Sequence, residues 1–207
     1  MKAVFLDRDG TMGGTGGGMH PFDFSMYDFT PNAIKVLNNL RIKVFLFANQ
    51  IRVGRGYFTE EELLEGFRLM EEDLRKHSAY LDGIFYCPHK PEDHCVCQKP
   101  NIGLLLQAKE MHNLELEECY VVGDTGDSDM LAAEKAGAKK VLVKTGWGEG
   151  SLTKYRENWK RIEPDFIAND LLEAVNWIST DIRDSSPSSF FSDSLPYGPN
   201  SKFGGYR

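Results

Sequence analysis

Val4-Phe5-Leu6-Asp7-Arg8-Asp9-Gly10-Thr11 begins as an apolar run and ends in charge and a turn. In an extended strand, residues two apart point to the same side, so Asp7 and Asp9 send both carboxylates into one crevice. The crevice beyond the carboxyl ends of the strands is where open α/β sheets bind ligands. Two acids so close repel each other, and a divalent cation between them is the simple remedy. One carboxylate could then act as nucleophile while the other donates a proton. A strand followed by a polar Asp-Gly turn looks the same locally, so the rest of the chain has to decide.

Further short apolar runs at Val44-Phe47, Gly83-Tyr86, Tyr120-Val122, Val141-Val143 and Phe166-Ala168 join Ala3-Leu6 in alternation with longer helical stretches. That rhythm reads as a parallel α/β sheet. Thr30-Pro31 reads as an N-cap with proline at the first helical position, and Thr59 with Glu62 as a capping box. Asp170 with Glu173 repeats the box for a last helix through Trp177, and Gly137 is the αL stop of a helix starting near Ser128. The glycine run Gly13-Gly18 is a loop. Residues 1–180 are expected to form one domain, and the Ser/Pro/Gly-rich residues 181–207 a flexible tail, with Phe190, Phe191 and Tyr197 as possible docking points.

With 207 residues, 41% hydrophobic and 27% charged, the chain has the composition of a soluble globular domain. No apolar run approaches the ~20 residues that span a bilayer, and no secretory signal is evident, so a cytoplasmic location is expected. A formal charge of -7 argues against broad nucleic-acid binding.

Val121-Val122-Gly123-Asp124-Thr125-Gly126-Asp127-Ser128-Asp129 is a second strand that ends in acids and opens a helix. The same geometry brings Asp124 to the crevice beside Asp7 as a metal ligand, whereas Asp127 reads as a cap or dipole partner. In Cys97-Gln98-Lys99-Pro100, Pro100 is expected to open the next helix, and Lys99 can supply positive charge to a nucleophile and a transferring phosphoryl group. Cys87, Cys95 and Cys97 cluster within eleven positions, which in a cytoplasmic chain points to metal before disulfide. Cys119 reads as a buried structural thiol.

Taken in order, DRDGT, a strand ending in Asn49-Gln50, Lys99-Pro100 and Gly123-Asp124 with Asp129 resemble the haloacid dehalogenase (HAD) superfamily of aspartate-nucleophile phosphatases over roughly residues 1–150. Arg55-Gly56-Tyr57-Phe58 and Cys87-Pro88-His89 leading to Cys95-Val96-Cys97-Gln98-Lys99-Pro100 resemble its subfamily III-A, the histidinol-phosphate and heptose-bisphosphate phosphatase branch. The resemblance implies a Rossmann-like, doubly wound parallel sheet of about five to six strands with flanking helices. It also implies Asp7 as nucleophile, Asp9 as general acid and then base, and Lys99 steadying Asp7 and the phosphate. Mg²⁺ would be held by Asp7, the Asp9 backbone carbonyl and Asp124, with Asp129 in support. Cys87, His89, Cys95 and Cys97, in a loop spanning 87–99, match a structural Zn²⁺ site, with His94 the weaker nitrogen candidate.

Four positions depart from that pattern. Ala48 stands where the branch has a hydroxyl that bonds phosphate, Gln98 where it has arginine, and Ile51-Arg52 where it has Ser-Gly. Asn49, Arg52, Arg55 and Gln98 are the substrate-binding candidates, with Arg52 or Arg55 able to replace the missing cation. Neither interval between motifs holds a cap domain, so an open site for a small phosphorylated metabolite is expected, on a monomer or small homo-oligomer. The best guess is a sugar phosphate such as D-glycero-D-manno-heptose 1,7-bisphosphate. Histidinol phosphate, a polynucleotide end, or a catalytically weakened binding module are the alternatives.

Overall fold

The apolar runs pair in parallel. In the computed structural model, which describes residues 1–185, they form β1 (Ala3–Leu6), β2 (Lys43–Asn49), β3 (Gly83–Cys87), β4 (Tyr120–Gly123), β5 (Lys139–Val143) and β6 (Phe166–Ala168). Their order in one sheet is β3-β2-β1-β4-β5-β6. The sheet grows outward from β1 to β3, and the chain then returns to lay β4 on the other side of β1. The carboxyl ends of β1 and β4 therefore flank the point of reversal, where a crevice opens between diverging connections.

Seven α-helices accompany the described strands: α1 (Thr30–Asn39), α2 (Ile51–Gly54), α3 (Glu60–Lys76), α4 (Gly103–His112), α5 (Leu131–Ala136), α6 (Gly148–Leu152) and α7 (Leu171–Asp184). Strand residues alternate between two cores. Val4, Leu6, Val44, Leu46 and Val122 face α1, α3 and α7, whereas Phe5, Phe45, Phe47 and Val121 face α4 and α5. The three central strands have apolar side chains on both faces because helices cover both. No helix among the described residues is long and apolar enough to cross a membrane.

Local expectations fare unevenly. The Thr59 capping box forms: Thr59 Oγ1 accepts from the Glu62 amide at 3.1 Å and Glu62 Oε2 accepts from the Thr59 amide at 2.7 Å. Gly137 closes α5 at φ +73°, but a π-helical turn, Gly126–Met130, precedes that helix. At α7, Asp170 accepts from the Glu173 amide, while Glu173 reaches back to Asn169, one residue short of a full box. Thr30 does not cap α1. Its buried hydroxyl donates instead to the Met12 carbonyl at 2.7 Å, tying the loop after β1 to the helix start. Pro100 does not open α4, which starts at Gly103. There a Cβ would lie 2.5 Å from the Val96 carbonyl oxygen, so the chain must finish a close turn before it can coil. The last helix runs past position 180 to Asp184, and Asp181 accepts hydrogen bonds from Tyr120 and Lys139. The rest of the expected tail, from 186 on, lies outside the described residues.

One packing contact fixes the loop at the mouth of the crevice. Gly66, within α3, lies against the Pro21 turn, and a Cβ there would sit 2.5 Å from Pro21 Cβ. Alanine at a helix interior normally gains about 1 kcal/mol over glycine. Gly66→Ala is nevertheless expected to lose about 1–3 kcal/mol, because overpacking outweighs propensity. Urea denaturation checks the sign, and a gain in stability would refute the contact.

Candidate active site and metal-binding loop

Asp7 follows β1 directly, and its amide continues the sheet by donating to the Val122 carbonyl at 2.9 Å. Asp124 follows β4 in the same way. Between them stands Lys99, whose Nζ donates to Asp7 Oδ1 at 2.7 Å, Asp129 Oδ1 at 2.7 Å and the Phe47 carbonyl at 2.8 Å. All three ammonium protons are thus used. Asn49, at the end of β2, holds the backbone of Lys99 reciprocally, accepting from its amide at 2.9 Å and donating to its carbonyl at 3.1 Å. Asp129 also accepts from the Thr125 amide and hydroxyl, and Asp124 Oδ2 accepts from the Trp147 amide at 2.7 Å. The glycine of the Asp-Gly turn is obligatory: Gly10 has φ +95°, and a Cβ would lie 2.0 Å from Asp124 Oδ2. The resulting crevice has a volume of about 390 Å³, within the usual span for small ligands.

Burial, opposed by Lys99 and reinforced by Asp129, pushes Asp7 up to about 7. Burial, then the charges of Asp7 and Asp129, push Asp124 up to about 9. Burial pulls Lys99 down, but Asp129 and Asp7 outweigh it, so the ammonium is retained. Three buried carboxylates thus face one cation, and the site is short of positive charge. Oxygens of Asp7, Asp124 and Asp129 lie within 4.8 Å of one another. An all-oxygen set with excess negative charge suits a hard divalent cation.

Asp9 stands apart from that cluster. Its carboxylate accepts from Arg8 Nε at 3.0 Å, Arg8 Nη2 at 3.2 Å and Gln50 Nε2 at 3.2 Å. Arg8 is only 1% exposed and lies over the rings of Phe24 and Phe67. Neither Arg8 nor Gln50 stood out in the sequence. The DRDGT spacing places Arg8 on the opposite side of the chain from Asp7 and Asp9, and only the fold turns its long side chain back.

The substrate-binding candidates separate. Arg52, at the rim on α2, and Gln98 line the crevice, while Arg55 is exposed and does not. Asn49 borders it, and its amide bonds the Lys99 backbone through the oxygen and one N–H, so its side chain also clamps that segment. Ala48 is fully buried in the core facing α1, α3 and α7. Trp147 also lines the crevice.

The Cys/His loop leaves β3 at Cys87. Cys97 Sγ is 3.3 Å from both Cys87 Sγ and Cys95 Sγ, which are 3.4 Å apart. His89 Nδ1 lies 3.2 Å from Cys97 Sγ and 3.6 Å from Cys87 Sγ. The cysteines form no disulfide. The four groups could hold one metal ion, since ligands about 2.3 Å from a tetrahedral centre are about 3.8 Å apart. His94 is exposed and outside the group. Cys119 is fully buried, as expected.

The HAD-hydrolase-like family matches residues 96–174. The D-glycero-beta-D-manno-heptose-1,7-bisphosphate 7-phosphatase of Haemophilus ducreyi is 37% identical over 187 residues, covering 86% of this chain and 98% of that one. The chain belongs to this family of HAD-like phosphatases. The family member from Pasteurella multocida is 40% identical over 153 residues, covering 70% of this chain and 83% of that one. A solved relative, the D,D-heptose 1,7-bisphosphate phosphatase of B. bronchiseptica complexed with magnesium and phosphate, superposes with a TM-score of 0.80 at 28% identity. It covers 87% of this chain and 99% of that one.

Removing one partner from a buried ion pair leaves an uncompensated charge, at a cost of about 3–5 kcal/mol. Lys99→Met is expected to lose stability on that scale, read from the urea midpoint with magnesium absent. A change below about 1 kcal/mol would mean that Lys99 does not neutralise the carboxylate cluster.

Proposed function

We propose that the protein is a magnesium-dependent phosphomonoesterase with D-glycero-D-manno-heptose 1,7-bisphosphate as substrate, acting through an aspartyl-phosphate on Asp7. The observation that carries this reading is the hold of Lys99 on Asp7 Oδ1 at the mouth of β1. It fixes the carboxylate and leaves Oδ2 without a hydrogen-bond donor among the described residues. That oxygen attacks phosphorus, forming a new P–O bond as the bond to the sugar oxygen breaks. Asp9 gives its proton to the leaving sugar oxygen. Asp9 then takes a proton from water, which attacks the acyl phosphate, releasing phosphate and regenerating Asp7. Arg8 and Gln50 fix the orientation of the Asp9 carboxyl group.

Asp7, Asp124 and the Asp9 backbone carbonyl would hold Mg²⁺, with Asp129 supporting, and the ion would supply charge stabilisation to the transferring phosphoryl group. In the same reading Cys87, His89, Cys95 and Cys97 hold a structural Zn²⁺, and a cytoplasmic setting keeps their thiols reduced. The names of the relatives support the heptose substrate over histidinol phosphate.

Turnover of heptose 1,7-bisphosphate with magnesium is expected, and Asp7→Asn is expected to lower kcat by on the order of 10³ or more. Failure of the wild type on every phosphate monoester tried would sink the proposal. For the loop, elemental analysis is expected to give one zinc per chain, and Cys95→Ser is expected to lose it and to lower the Tm. Zinc near zero in freshly purified protein would reject the site.

A further inference from the structure

Among the described residues lining the crevice there are two cations, Lys99 and Arg52. Lys99 has no donor left for a ligand. Arg52 forms no ion pair with any described carboxylate. Its Nη2 makes one long hydrogen bond, 3.4 Å, to the Gly17 carbonyl, and its guanidinium lies 5.3 Å from the centroid of the exposed Tyr57 ring. The glycine run makes room for it: Gly14, Gly16 and Gly18 take φ of +67°, +82° and +67°, and a Cβ on Gly18 would come within 3.2 Å of Arg52 Nε. Gln98 contributes a neutral amide to the same crevice.

A half-buried guanidinium with spare donors is a receptor for a planar pair of oxygens, and phosphate fits its fork. The geometry points to a second anion subsite at Arg52, between the Gly16–Gly18 strap and α2, that takes the phosphate remote from the one being cleaved. This rests on the phosphatase reading and deepens it: Arg52 holds the phosphate that is not cleaved and sets the preference for doubly over singly phosphorylated sugars.

The test compares kcat/KM for heptose 1,7-bisphosphate with that for heptose 7-phosphate, in wild type and Arg52→Ala. Both substrates are run on one preparation, so any unfolded fraction cancels in the ratio. Loss of a charge-assisted pair is expected to reduce the bisphosphate preference about 10–100-fold, chiefly through KM. An equal loss on both substrates would make Arg52 a strut for the strap and overturn the subsite, as would an unchanged ratio. Calorimetric binding of the bisphosphate to Asp7→Asn, with and without Arg52→Ala, separates this inference from the catalytic one. Should the wild type turn over no monoester, a 10–100-fold weakening by Arg52→Ala would still uphold the subsite, and equal affinities would reject it.

Discussion

A single ammonium group, Lys99 Nζ, lies where three parts of the chain converge. It joins Asp7 after β1, Asp129 in the π-helical turn after β4, and the Phe47 carbonyl of β2. Buried to 5% exposure, it lets carboxylates gather at the reversal point of the sheet at a tolerable electrostatic cost. Without it, Asp7 and Asp129 would lose the ammonium that pairs with both. The arrangement is incomplete by design, because one cation faces three acids and leaves a deficit that a divalent ion can fill.

The position of Lys99 is in turn secured from outside the crevice. Cys97 lies two residues before it, Cys87 is the last residue of β3, and Asn101 donates to the Cys95 carbonyl at 2.9 Å. Closing the Cys/His loop on one centre therefore fixes the span of chain that delivers Lys99 to Asp7. Asn49 completes the fastening from the neighbouring strand. The Cys/His group and the carboxylate group are thus linked by chain connectivity, with no direct contact between them required.

Much of this was legible in the sequence because it rests on short-range rules. The strands follow from apolar runs bounded by turns, and the crevice acids follow from the period of a strand applied to Asp7 and Asp124. The Cys and His residues announced themselves by spacing. What escaped depends on the third dimension. Arg8 could not be seen to swing back onto Asp9, since an arginine beside an aspartate is usually solvated. Asn49 was read only as a substrate donor because its sequence neighbours gave no hint that the Lys99 backbone, fifty residues later, would bond its amide. Thr30 and Pro100 carry genuine local preferences that tertiary contacts override, through the Met12 carbonyl in one case and the close turn before Gly103 in the other. Arg52 and Arg55 were equivalent in one dimension, and only the turn of α2 separates them.

The strap of glycines lies directly on Trp147: a Cβ at Gly16 would fall 2.1 Å from the indole Cδ1. Trp147 is 42% exposed and borders the crevice, whereas Trp159 is buried and Trp177 stacks on Phe166. Of the three tryptophans in the chain, it is the one whose surroundings must change when the crevice fills. The protein consequently carries an intrinsic fluorophore at its own doorway, and occupancy can be followed by its emission without any label.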